Sequence, residues 1–156
     1  MNLKEQIFKH FREVWFGGNW TSVNLKEVLA NVSWQQATTQ VNSLNTIAAL
    51  VFHINYYVSA VTKVFEGSKL DAHDRFSFEL PAIRSENDWK KLLEKTFTDA
   101  EKLAGFIKKM PEEKLWETFE EEKYGNYYRN LHGITEHTHY HLGQIVLIKN
   151  ILSSKN

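Results

Sequence analysis

The 156-residue chain (18.3 kDa) is 42% hydrophobic and 24% charged, carries 19 basic against 19 acidic side chains, and has no cysteine. The length predicts one domain, residues 1–156, burying roughly two-thirds of its unfolded surface; the charge balance offers no global field for nucleic acid or an anionic membrane, and disulfides, thiolate ligands and a cysteine nucleophile are excluded. A charged, amphipathic start (MNLKEQIFKHF) and the lack of any apolar run approaching about 18 residues leave a cytoplasmic protein without a membrane span as the expectation.

Two prolines and seven glycines are too few for the hairpins of an all-β domain, and helical periodicity runs through the chain instead. Asn2 and Glu5 have capping-box spacing, and Leu3, Ile7, Phe11 and Val14 follow at helical intervals until Gly17-Gly18. Residues 19–44 predict a structured connection, with a short helical piece at Leu25, Val28, Leu29 and Val32 and another cap at Ser33 with Gln36. From about Asn45 a second long helix carries Ile47, Leu50, Val51, Ile54, Val58 and Val61 on one broad stripe, ending near Phe65-Glu66 before Gly67. Residues 67–84 contain Pro81 and no useful helical stripe, predicting a crossover of the size that serves a function or spans a bundle. Ser85 with Asp88 starts a third long helix through Trp89, Leu92, Leu93, Phe97, Leu103, Phe106 and Ile107, closed by Pro111. PEEKLW adds a short turn, FEEEKYGN interrupts the pattern, and from Tyr127 the stripe Leu131, Ile134, Ile145, Ile148 runs to about Leu152. The predicted fold is all-α: a four-helix bundle with long crossover connections, the five tryptophans anchoring core and connections.

The last helix contains E-H-T-H-Y-H-L-G-Q-I, residues 136–145. At about 100° per residue, His137 and His141 share a face one turn apart, whereas His139 lies roughly 200° from His137. The pair falls on the inward stripe with Ile134, Ile145 and Ile148, where a protonated imidazole is costly and a neutral one still needs partners. A divalent cation is one such partner. His53, between Leu50 and Tyr57 of the second helix, is a candidate third ligand from a facing helix, and His10 on the first helix is a rival. Three histidines with an open fourth position describe a catalytic rather than a structural site. The competing account is a set of hydrogen-bonded core histidines with no metal. His73, His132 and His139 are expected at the surface or behind the ligands. Tyr57 and Gln144, each about one turn from a proposed ligand, are candidates for lining the open side and orienting a substrate.

Other templates fit less well. The zincin pattern needs glutamate where Thr138 stands, a di-iron site needs two Glu-x-x-His motifs where only Glu136-x-x-His139 exists, and there is no Gly-rich phosphate loop or Gly-x-Ser-x-Gly elbow. Imidazole accepts a single Zn or Ni ion, and also Fe, Co or Cu.

Glu136-His137 followed by Tyr140-His141-Leu142-Gly143-Gln144-Ile145 resembles the last-helix signature of the DinB (damage-inducible) superfamily of four-helix-bundle metal-dependent enzymes, and the order of elements is similar over nearly the whole chain. MPEEKL at 110–115 and YGNYYRNLHGI at 124–134 are softer likenesses. The resemblance implies a divalent metal on His53, His137 and His141. It also implies an S-transferase using a low-molecular-weight thiol such as bacillithiol, mycothiol or glutathione, or a hydrolase, acting on a small electrophilic molecule, and a homodimer. With a metal, Lewis-acid activation of water or thiol is the expected chemistry; no catalytic base is assigned. The alternative expectation is a non-catalytic, stress-related dimeric bundle that binds a small ligand or partner, with structural histidines.

Overall fold

Asn2 opens the first helix as its spacing predicts: its side chain accepts from the Glu5 backbone N–H, and the Glu5 carboxylate accepts from the Asn2 N–H in return. In the computed structural model, which describes residues 1–154, six α-helices follow one another: α1 (Leu3–Phe16), α2 (Leu25–Leu29), α3 (Trp34–Thr38), α4 (Ile47–Phe65), α5 (Glu86–Lys109) and α6 (Tyr127–Ser153). Short 3-10 turns occupy Asp74–Phe78, Glu112–Trp116 and Glu122–Tyr124. The described residues contain no strand, only an isolated bridge between Thr118 and Asn126.

Each predicted start has a side-chain cap. Ser33 and Gln36 close a second capping box on α3, Ser85 caps α5 through the Asp88 N–H, and Asn126 caps α6 through the Arg129 N–H. Thr46, one residue past the expected Asn45, caps α4. Gly17 ends α1 with φ 111, a backbone conformation that L side chains rarely adopt.

The long helices α4 and α1 each pack against both α5 and α6, and α2 and α3 fill in against α1 and α4. Their buried faces merge into one apolar cluster that includes Phe11 and Trp15 of α1, Leu50, Ile54 and Val58 of α4, Leu103 and Ile107 of α5, and Leu131 and Ile145 of α6. Each such side chain contributes roughly 1.5–3 kcal/mol by leaving water. Helix α4 is the most apolar, and by length and composition alone it is sufficient to cross a bilayer; 67% of its most apolar window is buried inside the protein.

The tryptophans divide. Trp15 and Trp89 are fully buried, and the Trp89 indole N–H donates to the Val32 carbonyl at 2.8 Å, tying the connection before α3 to α5. Trp20 is 100% exposed and Trp116 60%, so these two anchor no core, contrary to the expectation from hydrophobicity. Amphipathic periodicity places a residue on a helix face, but Trp20 lies between α1 and α2, where no period applies.

Candidate metal centre

The packing of α4 on α6 brings three rings together. His53 comes from the middle of α4, His137 and His141 from successive turns of α6, and their ring centroids lie 4.8, 4.7 and 4.5 Å apart in the pairs 53–137, 53–141 and 137–141. One nitrogen from each falls within 4.8 Å of the others, and the three residues can hold a metal ion. His53 and His141 are buried, at 5% and 8% exposure. Their neighbours along α6 do not compete for the site, because the Thr135 and Thr138 hydroxyls donate back to the Leu131 and Ile134 carbonyls.

Hydrogen bonds on the outer side of two rings fix which nitrogen faces inward. The Ser77 hydroxyl donates to the Asp74 carbonyl at 2.6 Å, so its oxygen accepts from Nδ1–H of His53 at 2.7 Å. The Gln144 Oε1 accepts from Nδ1–H of His141 at 2.6 Å. Both rings therefore turn an Nε2 lone pair toward the shared space, the tautomer that a metal ligand needs. Nε2 of His137 lies 2.9 Å from Nε2 of His53, and Nδ1 of His137 is buried without a partner. Either a proton sits between those two Nε2 atoms or a cation takes its place. Nitrogens sharing one tetrahedral zinc at about 2.0–2.1 Å would stand roughly 3.3 Å apart, against 2.9 Å for the His53–His137 pair and no more than 4.8 Å for any pair.

Burial, followed by the neighbouring rings, lowers the His53 and His137 pKa values to about 4, with the Asp74 carboxylate pulling weakly the other way. Both rings are neutral near pH 7, again the ligand form. Tyr57 packs edge-on against His53 and His137 at 5.1 and 5.0 Å. Its hydroxyl donates to the Asp74 carboxylate at 3.1 Å, and burial together with that bond raises the phenol's pKa above its ordinary value.

A cavity of about 740 Å³ opens beside the cluster, with Tyr57 and His137 in its wall. Its remaining surface comes from the end of α4, from Leu70 and Ala72 of the crossover, from Phe119 and Tyr124, and from the first three turns of α6. This is the size and apolar character of a small-molecule site.

The other sequence candidates lie elsewhere. His10 is exposed on α1, beside a hollow it shares with His139, and does not join the cluster; its neighbouring stripe is buried, but its own position points out. Nε2 of His139 lies 3.3 Å from the Thr21 hydroxyl, His73 pairs with Asp71 at the surface, and His132 packs on Tyr128 in the cavity wall. Tyr57 lines the cavity, whereas the amide oxygen of Gln144 is engaged with the His141 ring. Sequence reasoning passed over Asp74, Ser77 and Phe78, which stacks on His53 at 4.2 Å. The one signal for them was the length of the 67–84 crossover.

Comparison with protein-family models, curated proteins and solved structures finds no significant match.

Proposed function

We propose that the protein is a mononuclear, divalent-metal-dependent enzyme of the DinB-like four-helix-bundle type, with His53, His137 and His141 as ligands. The observation carrying this reading is the orientation of the rings: Ser77 and Gln144 hold the outer nitrogens of His53 and His141, so their Nε2 atoms face His137 beside an apolar cavity. His53, His137 and His141 would hold the ion, Zn or Ni first and Fe, Co or Cu by the same donor chemistry, and it would supply Lewis acidity there. The chain's own residues bind and orient: Tyr57 stands in the cavity wall with its hydroxyl held on the Asp74 carboxylate, and the largely apolar lining receives a small electrophilic substrate. The reaction we favour is thiol-dependent S-transfer, with a low-molecular-weight thiol as co-substrate, or hydrolysis. A cytoplasmic location and a homodimer belong to the same proposal, the dimer being supported by the exposed apolar Leu44, Tyr140 and Leu147.

The second reading, a non-catalytic ligand- or partner-binding bundle with structural histidines, is favoured by the direct 2.9 Å contact between His53 and His137, which needs no metal if one proton is shared. Nδ1 of His137 has no partner under either reading and does not separate them. Metal analysis of protein purified without a histidine tag decides between them. About one divalent ion per chain, lost in His137→Ala, is expected; metal-free protein that also fails to take up added Zn²⁺ or Ni²⁺ would leave only the second reading.

A further inference from the structure

One wall of the cavity is a continuous stretch of α6, and it carries unequal groups along its length. Arg129 stands at the far end, Gly133 in the middle, and Glu136 with His137 at the end next to the histidine cluster. Eight residues of helix separate Arg129 from His137, about 12 Å at 1.5 Å per residue.

Arg129 occupies the first turn of α6, where the helix dipole is positive and a cation is disfavoured, and that turn holds no acidic residue. It forms no ion pair among the described residues. Its stem lies across Gly125: a Cβ there would come within 2.8 Å of the Arg129 Cδ, and the φ of 74 at Gly125 suits glycine. Arg129 is thus an exposed guanidinium at the cavity rim that, among the described residues, no carboxylate pairs with.

Gly133 is the second oddity. A glycine inside a helix weakens it relative to alanine, and no neighbour requires one here, since a Cβ at 133 would meet nothing within 4 Å. Gly133 is exposed and belongs to the cavity wall, so a large side chain placed there has the cavity mouth as its open space. The wall that shares the cavity with this notch is apolar and aromatic at Val61, Leu70, Phe119 and Tyr124.

We propose that the cavity binds an elongated, largely apolar molecule whose anionic group, of the carboxylate type, is held by Arg129, whose body lies against α6 at Gly133, and whose other end is presented to the histidine cluster. Glu136 opposes an anion at the cluster end and so sets the direction of binding. The identity of the reacting end rests on the metal reading given above; the anion site and the notch do not.

Metal-free protein titrated calorimetrically with octanoate, 1-octanol and octylammonium tests the anion site alone. Octanoate is expected to bind about tenfold more tightly than octylammonium, and Arg129→Gln to erase that preference. Gly133→Leu is expected to weaken octanoate by about tenfold while leaving the melting temperature unchanged or higher, because leucine is the better helix former. Equal binding of the three compounds, binding of none, or a preference that survives Arg129→Gln overturns the proposal; so does full-strength octanoate binding in Gly133→Leu. A second arm uses protein loaded with Co²⁺: 8-mercaptooctanoate is expected to bind more tightly than 3-mercaptopropionate, with the advantage lost in Arg129→Gln, and no such advantage counts against the proposal. If Co²⁺ is not taken up, the metal reading fails while the metal-free titrations still decide the cavity's ligand. If Co²⁺ binds and octanoate shows no preference, the reverse holds.

Discussion

The Ser77 hydroxyl, its proton directed at the Asp74 carbonyl, accepts from Nδ1 of His53 across 24 residues of sequence. A buried serine in a 3-10 turn of the crossover thereby sets the tautomer of a ring on α4. Ser77→Ala should lower Zn²⁺ affinity by roughly 10- to 100-fold in a chelator-competition titration, the usual cost of losing a ligand's outer partner. It should also destabilise the metal-free protein by about 1–3 kcal/mol, because Nδ1 of His53 is left buried and unpaired. Unchanged affinity would mean that the crossover covers the cluster without orienting it.

Metal should stabilise the fold measurably. Zn²⁺ at a thousandfold excess over its dissociation constant adds about 4 kcal/mol, which for a chain of this size raises the melting temperature by on the order of 10 °C. Chelator should reverse the shift, and His137→Ala should abolish it. The same variant removes the unpartnered Nδ1, so part of the loss from its cavity is offset and the metal-free protein should remain folded. A Zn²⁺-induced shift of full size in His137→Ala would exclude His137 as a ligand.

Acid should weaken the metal-free protein in a defined window. His53 and His137 have pKa values near 4 when folded, lowered first by burial and then by neighbouring rings, against about 6.5 unfolded. The neutral ring is the native form, so protonation favours unfolding. The contribution is complete above pH 6.5 and is lost as pH falls from there toward 4. It is at most on the order of 3 kcal/mol per ring, and the two rings are coupled, so the sum is smaller than twice that. Urea denaturation at a series of pH values should show this slope, flattened in a His53→Gln, His137→Gln double variant. An equal slope in the double variant would assign the acid sensitivity to other groups.

The α4–α5 contact carries its own polar node, and it should be independent of metal. Asp99 on α5 accepts from Ser59 of α4 at 2.7 Å and pairs with Lys95. Burial tends to raise its pKa, but the hydrogen bonds from Lys95 and Ser59 prevail and lower it. A depressed carboxylate stabilises the fold above its unfolded pKa of about 3.9, a contribution lost as pH falls below that value. Asp99→Ala should cost about 1–2 kcal/mol at neutral pH and leave Zn²⁺ affinity unchanged. A matching loss of metal affinity would show that the node shapes the centre after all.

The helices were legible because their signals are local. Asn2 with Glu5, Ser33 with Gln36 and Ser85 with Asp88 announce their caps within four residues, and the stripes of α4 and α5 predict burial directly. The trio of histidines was legible for the same reason on α6, where the separation of His137 and His141 from His139 follows from helical geometry alone. His53 needed the further step that α4 faces α6. Asp74 and Ser77 were hidden, since a 3-10 turn carries no long period and their importance depends on a crossover folding back on α4. Gln144 was visible by its spacing, but whether its amide faces a substrate or the His141 ring is decided by a rotamer.

Two tryptophans, equal in hydrophobicity, should differ sharply in what they contribute to stability. Trp89 is 1% exposed and its indole N–H is the donor to Val32 O, so Trp89→Phe both removes buried volume and leaves a carbonyl unpaired. The combined cost should be about 2–3 kcal/mol. Trp20, fully exposed between α1 and α2, touches no core, and Trp20→Ser should change stability by less than about 0.5 kcal/mol. Urea denaturation of the two variants with a common slope measures the difference. Should Trp20→Ser destabilise as much as Trp89→Phe, Trp20 must be buried in solution, and the natural partner for an exposed indole of this kind is a second copy of the chain; the loss would then depend on protein concentration, whereas the Trp89→Phe loss would not.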